Sequence, residues 1–362
     1  MAQSTTLTDL VRDRVVAHLA ARTPILLGVA PDLAAVTEFS RQFLGGGKRF
    51  RARFCHLGWA SGKGDGDGHP DAVVIAAAAA LEIFHAAALV HDDLIDNSDT
   101  RRGGPSAHRH LEAMHRSSGF GGDAARFGRA AALLTGDLLL ALSDELFDEA
   151  VAACPRPIAA AAKREFSRMR LEVTAGQYLD VLEEDAWVVR DDDDQLARAW
   201  TIAVYKSAKY SIEEPLVIGA LLGGAGEPQI EALRRYGRPL GVAYQLRDDL
   251  LGVYGDPART GKPAGDDLRE GKRTVLVALA RRAMTPAKRD RLDSVLGNPK
   301  ASDEDIRAMQ DAIVTCGAVR ELERRVESHL ARASDALEGA PFDEASVGRL
   351  REIARSAVHR DA

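Results

Sequence analysis

The sequence predicts an all-α fold, and three observations carry that expectation. Apolar residues recur at helical period through most of the 362 residues. Much of the 46% hydrophobic content is alanine, and aromatics make up only 5%. Alanine loses no side-chain entropy in a helix, whereas a sheet would draw on β-branched and aromatic residues. No stretch shows strand alternation combined with hairpin turn chemistry.

Taken in order, residues 7–22 and 32–44 read as amphipathic helices, and Gly45-Gly46-Gly47 stops the second. Residues 61–70, rich in Gly and Asp, read as a connection. Their Asp65-Gly66-Asp67-Gly68 alternation has the look of a calcium loop. It lacks the later bidentate Glu, so a plain linker is the better reading. Ala72 to Val90 is apolar almost all round, which predicts a helix buried on most faces. It runs into His91-Asp92-Asp93-Leu94-Ile95-Asp96. Helical patterns then cover 126–152, 157–183, 194–222, 228–251, 273–283, 302–336 and 344–358, with 117–122 a Gly-rich connector. The four carboxylates Asp191 to Asp194 suit the positive end of a helix dipole. No internal repeat points to a solenoid.

The bulk properties exclude several classes. The formal net charge is -6 and no basic stripe appears, which argues against a nucleic-acid binder. Cys55, Cys154 and Cys316 are odd in number and far apart. They fit neither zinc spacing nor a disulfide framework, so reduced thiols in a cytoplasmic protein are expected. Asp9, Arg12, Asp13 and Arg14 interrupt the first helical pattern. No later segment reaches about 20 apolar residues without charge, so neither a signal peptide nor a membrane span is expected.

The chemistry gathers at aspartates that close apolar helices. Asp92 and Asp96 stand one above the other on a helical face, and two ionised carboxylates there repel unless a cation lies between them. Such oxygen ligands suit Mg²⁺, which takes one or two carboxylates and fills its shell with water and phosphate oxygens. Taken alone, the cluster could equally be an exposed helix end. Asp248-Asp249, preceded by Gln245, closes a second apolar pattern. Cations accompany both clusters: Arg101 and Arg102 after the first, Lys262 and Lys272 after the second, and Lys206 inside another helix. Near the N-terminus, Lys48 and Arg51 lie beside flexible glycines. Arg binds phosphate as a planar fork and Lys as a point charge. The pattern describes two anion clamps, one bridged by metal and one made of bare cations.

These segments resemble the trans-isoprenyl diphosphate synthase family, which includes farnesyl, geranylgeranyl and longer-chain synthases. Gly46-Gly47-Lys48-Arg49-Phe50-Arg51 matches its N-terminal motif. His85 through Arg102, with Gly103, Pro105 and His108, matches its first Asp-rich region, and Lys206-Ser207-Ala208 resembles its Lys-Thr-Ala motif. Tyr244 to Asp249 begins its second Asp-rich region, and Gly261-Lys262-Pro263 through Gly271-Lys272 matches the segment after it. The motifs fall in family order over residues 45–274.

The resemblance implies one domain over residues 1–362, a bundle of long helices around a deep central cavity, and a homodimer. It implies that Asp92, Asp96 and Asp248 bind Mg²⁺, three ions per substrate-loaded site, with Asp93 and Asp249 acting directly or through coordinated water. Arg101, Lys206 and Lys262 would neutralise the allylic diphosphate, with Gln245 a polar contact near it. Lys48, Arg51, His85 and Arg102 would hold isopentenyl diphosphate, although His85 could also be read as a core histidine. One departure stands out: Gly252 occupies the place of the third Asp that often ends the second region. For product length, small Ala87 and Ala88 would let the growing tail pass, and Phe84 would be the next obstruction. That points to geranylgeranyl diphosphate, with farnesyl or longer products as alternatives. A class I terpene cyclase would not need the Lys48/Arg51 clamp, and a silent regulatory subunit has only Gly252 in its favour.

Overall fold

The computed structural model describes residues 6–64, 69–256 and 264–358, and helices dominate them. α1 (Leu7–Val29) starts at a capping box between Thr6 and Asp9 and runs on through Pro24. α2 (Ala34–Gly45) ends at the glycine triplet as expected. α3 (Phe50–Lys63) is a helix the periodicity does not mark, because it is buried on nearly every face from Leu57 to Ser61. It absorbs the start of the expected 61–70 connection, and Asp65 to Gly68 lie outside the described residues. α4 (Ala72–Ile95) is capped by the Asp71 carboxylate. Its length and composition would let it cross a membrane, yet 72% of its most apolar window is buried inside the protein.

Past α4 the chain makes the one sheet among the described residues, an antiparallel pair of β1 (Thr100–Arg101) and β2 (Gly104–Pro105). Arg102 and Gly103 both have positive φ, +54° and +76°, the backbone a two-residue type I′ turn requires. Strands of two residues are too short for alternation to reveal, so the strand-free expectation is corrected here. α5 (Ala107–Ser117), α6 (Ala124–Ala152) and α7 (Arg156–Ala186) follow, the Asp123 side chain capping α6.

The chain divides into two compact units. The first comprises Met1–Glu165, Pro215–Ile230 and Phe342–Ser346; the second comprises Phe166–Glu214, Glu231–Pro341 and Val347–Ala362. In the first, α4 packs most heavily on α6, with α5 on α6 and both α3 and α1 on α4. Trp59, Leu81, Ile83, Leu139 and Leu146 fill its core. There α3 also crosses α9 (Glu214–Leu222) backbone to backbone. A Cβ at Gly58 would strike the Leu216 carbonyl, and one at Gly219 the Cys55 carbonyl.

The second unit holds α7 from Phe166, α8 (Asp192–Ile202), a π-helical stretch Ala203–Glu213 and α10 (Glu227–Tyr254) from Glu231. It continues with α11 (Asp266–Glu270), α12 (Val275–Ala283), α13 (Pro286–Val295), α14 (Asp303–Thr315), α15 (Ala318–Asp335) and α16 (Glu344–Val358) from Val347. α12 packs on α8 and α15. The expected helix over 302–336 is broken at Gly317, whose φ of +86° no α-helix accepts. The acidic run behaves as a helix start: Asp191 accepts from the Asp193 and Asp194 N–H groups, and Asp192 pairs with Arg281 and Arg289. Glu213 and Glu214, both wholly buried, are met by Arg234, Arg238 and Lys209. Buried charges of this kind need such partners, since unmatched each costs several kcal/mol, to order of magnitude. The three cysteines are free, and burial pushes the Cys55 thiol up to about 12.

Candidate active site

In the first unit, α4 delivers three carboxylates at its C-terminal end. Asp96 caps the helix, its N–H donating to the Asp92 carbonyl at 2.8 Å, so the two side chains lie one turn apart. Both are half-buried, whereas Asp93 has no exposure at all. Arg101, on β1, donates from Nε to Asp93 Oδ1 at 2.8 Å, and its Nη2 lies 3.4 Å from Asp92 Oδ2. The buried Asp93 thereby fixes a guanidinium beside the more open Asp92.

Along α4, His85, Ala88, Leu89, Asp92 and Asp96 are all half-buried and follow one another at helical spacing. Between Val74 and Val90, where α4 is otherwise buried apart from Ile75, His85, Ala88 and Leu89 form an open strip. Ala88 lies on that strip; Ala87 is wholly buried and Phe84 is 5% exposed.

A cationic group surrounds His85. Burial, reinforced by Arg51, Arg102, Arg101 and Arg49, holds its imidazole well below the usual range, so it is neutral near pH 7. Arg102 donates to the Phe43 and Gly46 carbonyls at 3.0 and 3.3 Å and lies 5.3 Å from the Phe43 ring. Arg51 is half-buried and Lys48 exposed in the same N-terminal segment. Arg49 points inward instead, buried 3.6 Å from the buried Glu82. The structure therefore brings His85, Arg51, Arg101 and Arg102 into one neighbourhood.

In the second unit, α10 carries an exposed Asp248 and a buried Asp249 in its C-terminal part. Gln245 donates to Asp249 Oδ1 at 2.8 Å. Burial pushes the Asp249 carboxyl well above the usual carboxylate range; the Gln245 hydrogen bond opposes this, while Asp267, Asp248 and Asp180 add to it. Lys206 projects from the π-helical stretch and is paired with Asp180 of α7. A Cβ at Gly176 would overlap the Lys206 backbone, so this glycine lets α7 approach that stretch. Lys272 Nζ stands 2.5 Å from Glu270 and 3.8 Å from Asp267. Lys262 lies outside the described residues.

Asp180 and Asp267 are the acidic groups the motif reading does not single out. Asp180 lies near the end of α7, just ahead of Glu183-Glu184-Asp185, and its pairing with Lys206 is visible only in three dimensions. Asp267 is visible only as part of Asp266-Asp267-Leu268, and its relation to Gly252 is three-dimensional.

The donor set fits Mg²⁺. Among the described residues, no group of three or more His, Cys, Asp and Glu gathers closely enough to cage a metal. Mg²⁺ does not need a cage, since it usually takes one or two carboxylates and completes its shell from water and substrate phosphate. Half-buried Asp92 and Asp96 and exposed Asp248 are hard oxygen donors of that kind.

The sequence pattern of the polyprenyl synthetase family matches residues 34–313, well over half of the chain. A geranylfarnesyl diphosphate synthase from Aeropyrum pernix is 33% identical over 310 residues, 85% of this chain and 88% of that protein. A short chain isoprenyl diphosphate synthase from Methanocaldococcus jannaschii is 32% identical over 234 residues, 65% of this chain and 64% of that protein. Among solved structures, a geranylgeranyl pyrophosphate synthase from Corynebacterium glutamicum, complexed with isoprenyl diphosphate and magnesium, superposes with a TM-score of 0.92. It is 35% identical, over 98% of this chain and 99% of that one.

Proposed function

Since the chain belongs to the polyprenyl synthetase family, we propose that it condenses isopentenyl diphosphate with an allylic diphosphate, head to tail. The product would be a trans-polyprenyl diphosphate, with geranylgeranyl diphosphate the main one. The observation that carries this reading is the grouping of open Asp92 and Asp96 with Arg101, next to the cations around His85.

In the reaction, the allylic C–O bond breaks and its electron pair leaves on the diphosphate. The isopentenyl double bond supplies the pair for the new C–C bond, and a proton is lost to restore an alkene. By family analogy the released diphosphate takes that proton. Asp92, Asp96 and Asp248 would hold Mg²⁺, three ions in the loaded site, which supplies Lewis-acid stabilisation of the departing diphosphate. Arg101, Lys206 and Lys262 would meet the same developing charge, and because Asp93 and Asp180 already hold Arg101 and Lys206, little reorganisation is needed. Lys48, Arg51 and Arg102 would bind isopentenyl diphosphate. Neutral His85 could donate one hydrogen bond there without adding charge. Gln245 and Asp249, already hydrogen-bonded to each other, would shape the second acidic region.

Product length would be set along α4, with Ala88 on its open strip passing the tail and Phe84, buried one turn earlier, limiting it. The named relatives make products of different lengths, so this assignment rests on α4 alone. We also read the chain as one catalytic domain, since it returns to each unit more than once. A cytoplasmic homodimer completes the reading. Free cysteines support the location, and the exposed Leu133 and Leu134 on α6 support self-association.

The test is incubation with isopentenyl diphosphate, Mg²⁺ and dimethylallyl, geranyl or farnesyl diphosphate, followed by chromatography of the dephosphorylated products. Elongation to geranylgeraniol is expected. No elongation with any primer would overturn the assignment, and a regulatory subunit would then be the better reading.

A further inference from the structure

Lys272 follows the second aspartate region, and the chain on either side of it is fixed. Before it, Gly271 packs on Gly297 so closely that an added Cβ would come within 2.9 Å of the Gly297 Cα. The Gly297 N–H also donates to the Leu268 carbonyl at 2.9 Å. After it, Arg273 donates from Nη1 to Asp293 of α13 at 3.0 Å. The Arg273 guanidinium carbon lies 3.8 Å from the centre of the Trp187 ring. The two neighbouring cations therefore diverge. Lys272 meets Glu270 and Asp267 of α11, which lies against α10 at Gly252, whereas Arg273 is drawn toward α13 and the end of α7.

Trp187 is itself held in place. It opens the 3-10 turn Trp187–Val189 after α7, and its carbonyl accepts Gln195 Nε2 and the Arg190 N–H, each at 3.1 Å. Arg281 of α12 lies 5.2 Å from the same ring and shares Asp293 with Arg273. Burial holds the Arg273 pKa below its usual value despite Asp293, and Arg281 adds to that. Packing alone would be met as well by apolar side chains of similar volume. A desolvated ring face attracts a guanidinium, so the indole and Asp293 together decide where Arg273 lies.

We propose that Trp187 is a positioning residue for Lys272: with Asp293 it fixes Arg273, and so the direction from which Lys272 reaches the diphosphate at the second aspartate region. This rests on the prenyltransferase reading above. Trp187 comes seven residues after Asp180, which holds Lys206, so the end of α7 sets two diphosphate-facing lysines. The competing reading is that the ring only joins α7 to α12 and α13.

The test is a double-mutant cycle between Trp187 and Lys272 in the full chain, read by elongation kinetics and by inhibition with inorganic diphosphate and Mg²⁺. Lys272→Ala and Trp187→Leu should both weaken that inhibition. For Trp187→Leu the loss should be about tenfold, the scale at which supporting groups act on such sites. KM for isopentenyl diphosphate should stay near that of the parent. Trp187→Phe keeps an aromatic face and should recover most of the loss. Adding Trp187→Leu to Lys272→Ala should change nothing further, whereas independent sites would add. Thermal midpoints identify a variant that fails to fold; Arg273→Lys, which keeps the charge but loses the planar face, then takes the place of Trp187→Leu. Parent-like inhibition in either single variant, or losses that add in full, overturns the inference. If the parent elongates no primer, the prenyltransferase reading falls, and this inference with it.

Discussion

Arg101 is held by Asp93: its Nε lies 2.8 Å from a carboxylate with no solvent exposure, and its Nη2 reaches toward Asp92 at 3.4 Å. Neighbouring aspartates on one helix thus take different parts, Asp93 setting the guanidinium and Asp92 facing outward.

Asp93→Asn should leave the chain folded but loosen Arg101. Its kcat should fall on the order of 10²-fold, the scale of removing one preorganised charge donor, with a weaker effect on KM for isopentenyl diphosphate. Asp92→Ala should fall further, by roughly 10³-fold or more. Steady-state kinetics under saturating Mg²⁺ decide the matter; turnover within tenfold of the parent for Asp92→Ala would remove its metal role.

Asp180→Asn tests the second pair. Without its partner, Lys206 keeps its charge but loses its fixed direction, so kcat should drop while the unfolding midpoint barely moves. A drop of about 10²-fold is the expected scale. A parent-like rate would mean that Lys206 is positioned by the π-helical backbone alone.

The two alanines upstream of Asp92 should behave differently. Ala88 lies on the open strip of α4, so Ala88→Phe should shorten the product. Ala87 is wholly buried, so Ala87→Phe should overpack the core, costing about 1–3 kcal/mol, and leave product length largely unchanged. Phe84→Ala should lengthen the product. Product chromatography and thermal melts on the three variants separate these outcomes.

His329 gives a stability prediction. Its ring lies 5.8 Å from Trp200, and burial, with Arg332 and Arg325, lowers its pKa from 6.5 to about 4. As pH falls the unfolded chain takes up this proton first, so the contribution is complete above about pH 6.5 and shrinks toward pH 4. His329→Gln should flatten the thermal midpoint between pH 6.5 and 4. An unchanged slope would show that other groups set the acid response.

Much of this arrangement is written locally. The apolar run of α4 and its terminal aspartates can be read from order alone, because helical spacing fixes which residues share a face. The Asp191–Asp194 run also reads correctly as a helix start. What escapes the sequence depends on partners far along the chain. α3 shows no stripe because it is buried all round; the hairpin is too short for a pattern; and the break at Gly317 hides within a continuous apolar period. In the site, the closeness of Gly252 to Asp267 and of Lys206 to Asp180 joins residues of different helices, which no local spacing reveals.

The π-helical stretch Ala203–Glu213 sets the phase of Lys206. In a π-helix each N–H reaches the fifth carbonyl back instead of the fourth, so the stretch holds residues that an α-helix of equal length would exclude. Each residue of an α-helix turns the chain by about 100°. Deleting one residue here would let the backbone relax into α geometry and swing either Lys206 or the buried Glu213 and Glu214 out of alignment. The spacing between the lysine and those glutamates is therefore a rotational setting, and this segment should tolerate substitution far better than insertion or deletion.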